Sequence, residues 1–215
     1  LPKGTLNADY VSGKMPTHER QDKLRALKNS KSDQISILSN ARCLSEGVDV
    51  PSLDGIAFID PRSSDVDIIQ AVGRAIRLSK NKSVGSIVIP VFIQEAEDAE
   101  EAIEKSDFKK IWWVINALKA HDGALANELD EIRTEMGRRN KKSVKSNGLT
   151  KIIFDLPTTV NTQFANALRT KVVEQTTASW NFWFGLLEAY VAKYGHARVP
   201  DDRNKFNGYS LGGWV

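Results

Sequence analysis

Gln70, Arg74 and Arg77 stand in the run QAVGRAIR. On a helix, at roughly 100° per residue, the three fall within about 60° of one another, while Ile68, Ile69, Val72, Ala75 and Ile76 take the opposite side. One face is then core and the other a cationic fork. Two guanidiniums one turn apart on a rigid helix suit a multiply charged oxyanion such as a triphosphate, and Gly73 beside them permits close approach. Arginine remains charged at any working pH, and its planar donors can stabilise charge developing on a transferring phosphoryl group. On spacing alone, an exposed arginine pair on an ordinary amphipathic helix fits the same residues equally well.

A second run, SNARCLSEGVDVP, covers Ser39 to Pro51 and follows the strand-like ISIL at Ile35 to Leu38. It places Glu46, Gly47 and Asp49 beyond a strand's carboxyl end, where open parallel sheets hold their ligands. Gly47 allows a close backbone approach, and the Asp49 carboxylate can accept hydrogen bonds from ribose hydroxyls. Gly-X-Asp-X-Pro is also ordinary turn chemistry, so this run gains meaning only beside the first.

The elements that must carry these residues alternate. Apolar runs at Ala8 to Val11, Ile35 to Leu38, Ile56 to Ile59 and Ile87 to Phe92 read as strands buried on both faces, of the kind found in parallel sheets covered by helices. Between them, Pro16 to Lys28 reads as a crossover helix, with proline in its first turn and Leu24 and Leu27 on one side. Ser64 and Asp67 have capping-box spacing for a helix running to about Leu78. From Glu97 to about Arg139 the period changes to helical, as at Ile111, Val114, Ile115 and Leu118, then Leu125, Leu129, Ile132 and Met136. Trp112 and Trp113 in that stretch read as packing residues, because large aromatics usually bury. A basic, glycine-containing linker from Arg138 to Gly148 follows, then an apolar run at Lys151 to Leu156, a helix from about Thr159 to Val173, and a last segment from near Ser179.

The 215 residues, 41% of them hydrophobic, suffice for a buried core. The longest apolar runs fall far short of the roughly 20 residues of a membrane span, which points to a cytoplasmic protein with no membrane partner. One cysteine, Cys43, makes no internal disulfide, and His18, His121 and His196 are too scattered to form a metal site. A net charge of +3 does not by itself demand a polyanionic partner. RRNKKSVK, Arg138 to Lys145, holds five basic residues and EAEDAEEAIEKSD, Glu95 to Asp107, is acidic; a solvated helix face and a linker account for both. The chain opens at LPKGTLNADYV without a methionine and ends at LGGWV, which reads as an excerpt of something longer.

Taken together, ISILSNARCLSEGVDVP, the strand IAFIDPRSS and IIQAVGRAIR resemble motifs V and VI of superfamily-2 helicases, in order and spacing. VSGKMPTHERQDKL, Val11 to Leu24, resembles the preceding strand, loop and helix of the second RecA-like domain in that family. The resemblance implies an α/β fold, with a partial RecA-like parallel sheet and flanking helices followed by an all-helical C-terminal region. It implies that Arg74 and Arg77 are the arginine fingers reaching the γ-phosphate. Gln70, Gly73, Gly47 and Asp49 would then contact nucleotide, and Ser12, Gly13, Arg20 and Arg42 would lie along the nucleic-acid backbone. Gln70 stands where many relatives have histidine, and the motif V threonine of the DEAD-box type is absent, so RNA specificity is not implied.

SWNFWFGLLEAYVAKYGHARVPDDRNKFNGYSLGGWV, Ser179 to Val215, resembles the start of the helicase-associated repeat of some bacterial superfamily-2 proteins. Its helix carries Trp180, Trp183, Phe184, Leu187 and Tyr190, read as the core of a small helical unit rather than a base-stacking platform. His196 reads as a turn residue.

The domain expectation is therefore a helicase C-terminal RecA-like domain over 1–95, a helical extension and linker over 96–178, and a truncated helicase-associated repeat over 179–215. No G-x-x-x-x-G-K-[ST] loop occurs in the sequence. Asp130-Glu131 follows motif VI on an amphipathic stretch and reads as surface charge rather than a Walker-B pair. ATP with Mg²⁺ would be bound mainly by an N-terminal RecA-like domain outside this sequence, so the chain alone should not hydrolyse ATP and should hold no metal. The expected function is the C-terminal part of an ATP-dependent helicase or translocase, with nucleic acid, DNA by preference, and that N-terminal domain as partners. A non-catalytic nucleic-acid-binding module that keeps the fold, and the motor subunit of a restriction or repair complex, are the alternatives.

Overall fold

Among the described residues of the first 90, the sheet structure consists of two parallel strand pairs. The computed structural model describes residues 5–31, 34–41, 53–59, 65–75, 86–92, 98–105, 108–141, 143–144, 149–156, 160–201 and 205–215. Strand β1 (Thr5–Ser12) pairs in parallel with β2 (Gln34–Ala41), in a register that sets Leu6 beside Ile35, Ala8 beside Ile37 and Ser12 beside Ala41. Helix α1 (Thr17–Lys28) connects them, as a parallel pair requires. Pro16 lies at its N-cap rather than inside its first turn.

Alternation along the strands gives this sheet two unlike faces. On one, Asp9 receives the Lys23 ammonium of α1 at 2.6 and 2.8 Å, Ser30 donates to Ser36 at 2.8 Å, and Val11 is fully buried. Helix α1 thus covers the more polar face. The apolar face of Leu6, Tyr10, Ile35 and Ile37 is open, with Leu6 63% and Ile37 54% exposed. The expectation of strands buried on both faces fails for this pair, because a single crossover helix covers only one side of a two-stranded sheet.

The second pair is shorter than its apolar runs suggest. Strand β3 (Gly55–Ala57) lies parallel to β4 (Ser86–Val88), with Ile56 beside Ile87. The ladder does not extend to Ile59 or Phe92, both of which are exposed; Pro90, with no N–H to donate, stands within the expected run beyond β4. Helix α2 (Asp65–Ala75) lies between the two strands in sequence and packs against both, burying Ile68 and Val72. Ser64 and Leu78, the ends expected for this helix, lie outside the described residues.

The chain divides into two units, Leu1–Pro90 and Val91–Val215. The second is helical: α3 (Ala99–Lys105), α4 (Lys109–Lys119), α5 (Gly123–Arg138), α6 (Thr162–Thr176) and α7 (Ser179–Tyr194). Polar caps set several starts. Asp98 accepts from the Glu101 N–H at 2.8 Å, Asp122 from Ala124 and Leu125 at 2.9 and 3.0 Å, and Asn161 from Phe164 at 2.8 Å. The Asn161 cap explains why α6 begins later than the expected Thr159. Gly195, in the left-handed region at φ 78°, terminates α7.

One core joins Ile115, Leu125, Leu129, Met136, Val172, Val173 and Phe182 across α4 to α7. A second gathers Ala102, Ile103, Phe108, Phe164 and Leu168, with Trp112 packed against both cores. Ile152 and Phe154 of the irregular 149–156 segment also pack on this interior. Beyond α7, a tight turn with a Phe206 to Tyr209 bridge brings Leu211 under the helix, and Trp214 stacks on Trp183 with ring centroids 6.0 Å apart. The Arg198 N–H donates to His196 Nδ1 at 3.3 Å, a turn contact. Trp180 corrects the core reading of the tryptophan stripe: it is 54% exposed and stacks on the exposed Phe184, because α7 turns Phe182, Gly185 and Leu186 inward instead.

Candidate nucleotide and nucleic-acid interface

The carboxyl end of β1 runs straight into a turn, in which the Met15 N–H donates to the Ser12 carbonyl at 3.1 Å. Gly13 is exposed on it, with no heavy atom within 4 Å of where a Cβ would stand. Helix α1 follows at once, and Arg20 sits in its first turn, half-buried, with Nη2 3.4 Å from the Thr17 hydroxyl. Ser12, Gly13 and Arg20 therefore share one strand, turn and helix. Lys14 and His18, not singled out by motif, stand exposed on the same turn and the same helical start; their signal was present in VSGKMPTHER as basic residues flanking the glycine.

The parallel register contributes the other half of this edge. Ser12 is the register partner of Ala41, so the chain leaves β2 toward position 42 at the same end of the sheet. Parallel sheets bind ligands at such ends. Arg42, Gly47 and Asp49 themselves lie outside the described residues.

On α2, Gln70 is exposed while Ile68 and Val72 are buried, the sidedness expected of an amphipathic helix. The helix continues unbroken to Ala75, so position 73 and position 74 fall within its last turn, and position 74 follows Gln70 by about one helical turn. Arg77 lies outside the described residues.

The basic run that begins at Arg138 is in part internally neutralised. Arg138 belongs to the last turn of α5 rather than to a linker. Its guanidinium meets Glu188 of α7 at 2.9 Å, Glu135 at 2.5 Å and Glu131 at 3.4 Å. The Glu188 and Glu135 carboxylates hold Arg138 above its ordinary range. Arg139 pairs with Glu135 as well. Lys141 is exposed, and Lys142 and Lys145 lie outside the described residues. The acidic pair read as surface charge behaves so: Asp130 accepts from Lys119 at 2.7 Å and Glu131 faces Arg138. Among the described residues, no group of three or more His, Cys, Asp or Glu could hold a metal, and no helix is long and apolar enough to cross a membrane.

A strand, turn and helix with small and cationic residues at a parallel sheet edge, and a second helix presenting a polar side after another strand, are the arrangement of a RecA-like α/β domain. Residues 1–79 match the family model described as helicase conserved C-terminal domain. These residues are similar to a helicase C-terminal domain, and a helical region follows them. Over 101 residues the chain is 32% identical to putative helicase 22 of Sulfolobus islandicus filamentous virus (isolate Iceland/Hveragerdi), a match covering 47% of this chain and 17% of the relative. Over 77 residues it is 32% identical to putative ATP-dependent helicase IRC3 of Saccharomyces cerevisiae, covering 36% of this chain and 11% of that one. A solved structure, the ATP-dependent Type ISP restriction-modification enzyme LlaBIII bound to DNA, superposes with a TM-score of 0.65 at 28% identity, over 82% of this chain and 12% of that one. The chain spans less than a fifth of each of these proteins.

Proposed function

We propose that this chain is the C-terminal motor portion of an ATP-dependent helicase or translocase acting on DNA, and that it contributes two arginine fingers and part of the nucleic-acid track. The observation that carries the reading is the helicase C-terminal match over residues 1–79, with Ser12 and Ala41 brought side by side at the sheet's carboxyl edge. In this reading Arg74 and Arg77 extend toward the γ-phosphate, where their fixed charge stabilises the transferring phosphoryl group. Gln70, Gly73, Gly47 and Asp49 contact the nucleotide. Ser12, Gly13, Arg20 and Arg42 contact the backbone of the nucleic acid, joined by Lys14 and His18.

ATP and Mg²⁺ would be held mainly by an N-terminal RecA-like lobe, the intramolecular partner, since the sequence has no P-loop to cradle the β- and γ-phosphates. The chain alone is then inactive as an ATPase. Domain limits of 1–95, 96–178 and 179–215, a helicase-associated repeat beginning at α7, and a cytoplasmic location belong to the same proposal.

A motor that moves along duplex DNA within a restriction assembly is the favoured form of this function over strand separation. The likeness to the Type ISP restriction enzyme extends over 82% of the chain, a span that reaches beyond the helicase C-terminal domain into the helical unit. The test is ATP hydrolysis by the polypeptide that joins this chain to an ATP-binding lobe, with and without duplex DNA, alongside triplex displacement and strand-separation assays. DNA-stimulated hydrolysis with triplex displacement and no unwinding is the expected result. Nucleic-acid binding with no hydrolysis under any condition would establish the non-catalytic binding module instead.

A further inference from the structure

We draw no further inference here: the strongest candidate, the exposed aromatic stripe that Trp180, Phe184 and Tyr194 form along α7, carries nothing because nothing in the structure shows what covers it.

Discussion

Gly137 of α5 and Gly185 of α7 lie at the crossing of their helices, each against the other helix's backbone. A Cβ added at Gly137 would stand 2.0 Å from the Phe182 carbonyl oxygen, and one at Gly185 would stand 1.9 Å from the Thr134 carbonyl oxygen. Backbone cannot yield as a flexible side chain would, so α7 must move outward to accept a methyl group. Gly137→Ala and Gly185→Ala are each expected to destabilise the helical unit by about 1 to 3 kcal/mol, the usual cost of overpacking. Gly123→Ala is the control: no heavy atom lies within 4 Å of its would-be Cβ, and alanine has the higher helix propensity. Urea unfolding followed by far-ultraviolet circular dichroism distinguishes them, and equal midpoints for all three variants would refute the close crossing.

This crossing also marks what a sequence reading reaches. The helical period at Leu125, Leu129, Ile132 and Met136 placed α5, and the tryptophan-rich run beginning near Ser179 placed the start of α7. Spacing alone does not state which of several apolar residues turns inward once a helix is apolar nearly all round; Gly185 decided that, and Trp180 was left outside. The strand pair shows the same limit. The apolar runs at Ala8 to Val11 and Ile35 to Leu38 marked β1 and β2, each as part of a longer strand, yet covering a face depends on which neighbour packs there, and α1 took the side carrying Asp9 and Ser36 through Lys23 and Ser30. Of the candidate site, the grouping of Ser12, Gly13 and Arg20 was legible as strand, turn and helix because local sequence dictates each. The neutralisation of Arg138 was not, because Glu188 lies 50 residues away in sequence.

Glu128 fastens the irregular segment after residue 148 to α5. Its carboxylate accepts from the Thr150 N–H at 2.5 Å, the Thr150 hydroxyl at 2.7 Å and the Lys151 N–H at 3.4 Å. Partial burial disfavours its charge, but these donors outweigh that, and the net effect holds Glu128 below its ordinary value of 4.5. A carboxylate with a lowered folded pKa contributes stability that is fully present above the unfolded value and is lost as pH falls through the folded one. Glu128→Gln should therefore lower stability by about 1 to 2 kcal/mol at pH 7, in line with hydrogen bonds to a charged acceptor. The difference from the parent should shrink below about pH 4.5. Thermal unfolding from pH 7 to pH 3 measures it, and a gap that stays constant across that range contradicts the assignment.

Arg138 and Arg139 are expected to matter for stability more than for nucleic-acid affinity. The Arg138 side chain is 37% exposed and that of Glu188 38%, so solvent screens the pair. Arg138→Ala should cost about 0.5 to 1 kcal/mol, the range for partly exposed pairs, with the loss smaller at high salt. Because its charge is already matched by Glu131, Glu135 and Glu188, the same substitution should leave the affinity of the complete polypeptide for duplex DNA within about twofold, as followed by fluorescence anisotropy. A large affinity loss with unchanged stability would place Arg138 on the nucleic-acid track.

The arginine-finger proposal separates chemistry from binding. In the polypeptide that includes the ATP-binding lobe, Arg74→Ala and Arg77→Ala should each lower kcat for DNA-stimulated ATP hydrolysis by about 10³-fold or more while nucleic-acid affinity changes little. Gln70→Ala should act mainly on KM for ATP, as a group that contacts the nucleotide without meeting the developing charge. Steady-state hydrolysis at saturating DNA reads both quantities. Unchanged kcat in both arginine variants would falsify the finger assignment while leaving the fold and the family match intact.

Arg20, in the first turn of α1, and Gly13, on the turn that precedes it, test the nucleic-acid edge from the other side. A phosphate contact is electrostatic and independent of base sequence, and each one displaces counterion from the duplex. Arg20→Ala should thus weaken binding by a similar factor on unrelated sequences and reduce the slope of log K against log salt by about 1. Gly13 makes a different demand. With open space around it, Gly13→Ala is not expected to disturb folding, but a methyl group there would stand between the turn and any backbone drawn against it. The two variants should therefore part company in a salt titration: both bind less tightly, and only Arg20→Ala changes the slope. Equal slopes and unaltered affinity in both, with normal unfolding midpoints, would place the nucleic acid elsewhere on the domain and leave Ser12 and its register partner Ala41 with a purely structural role.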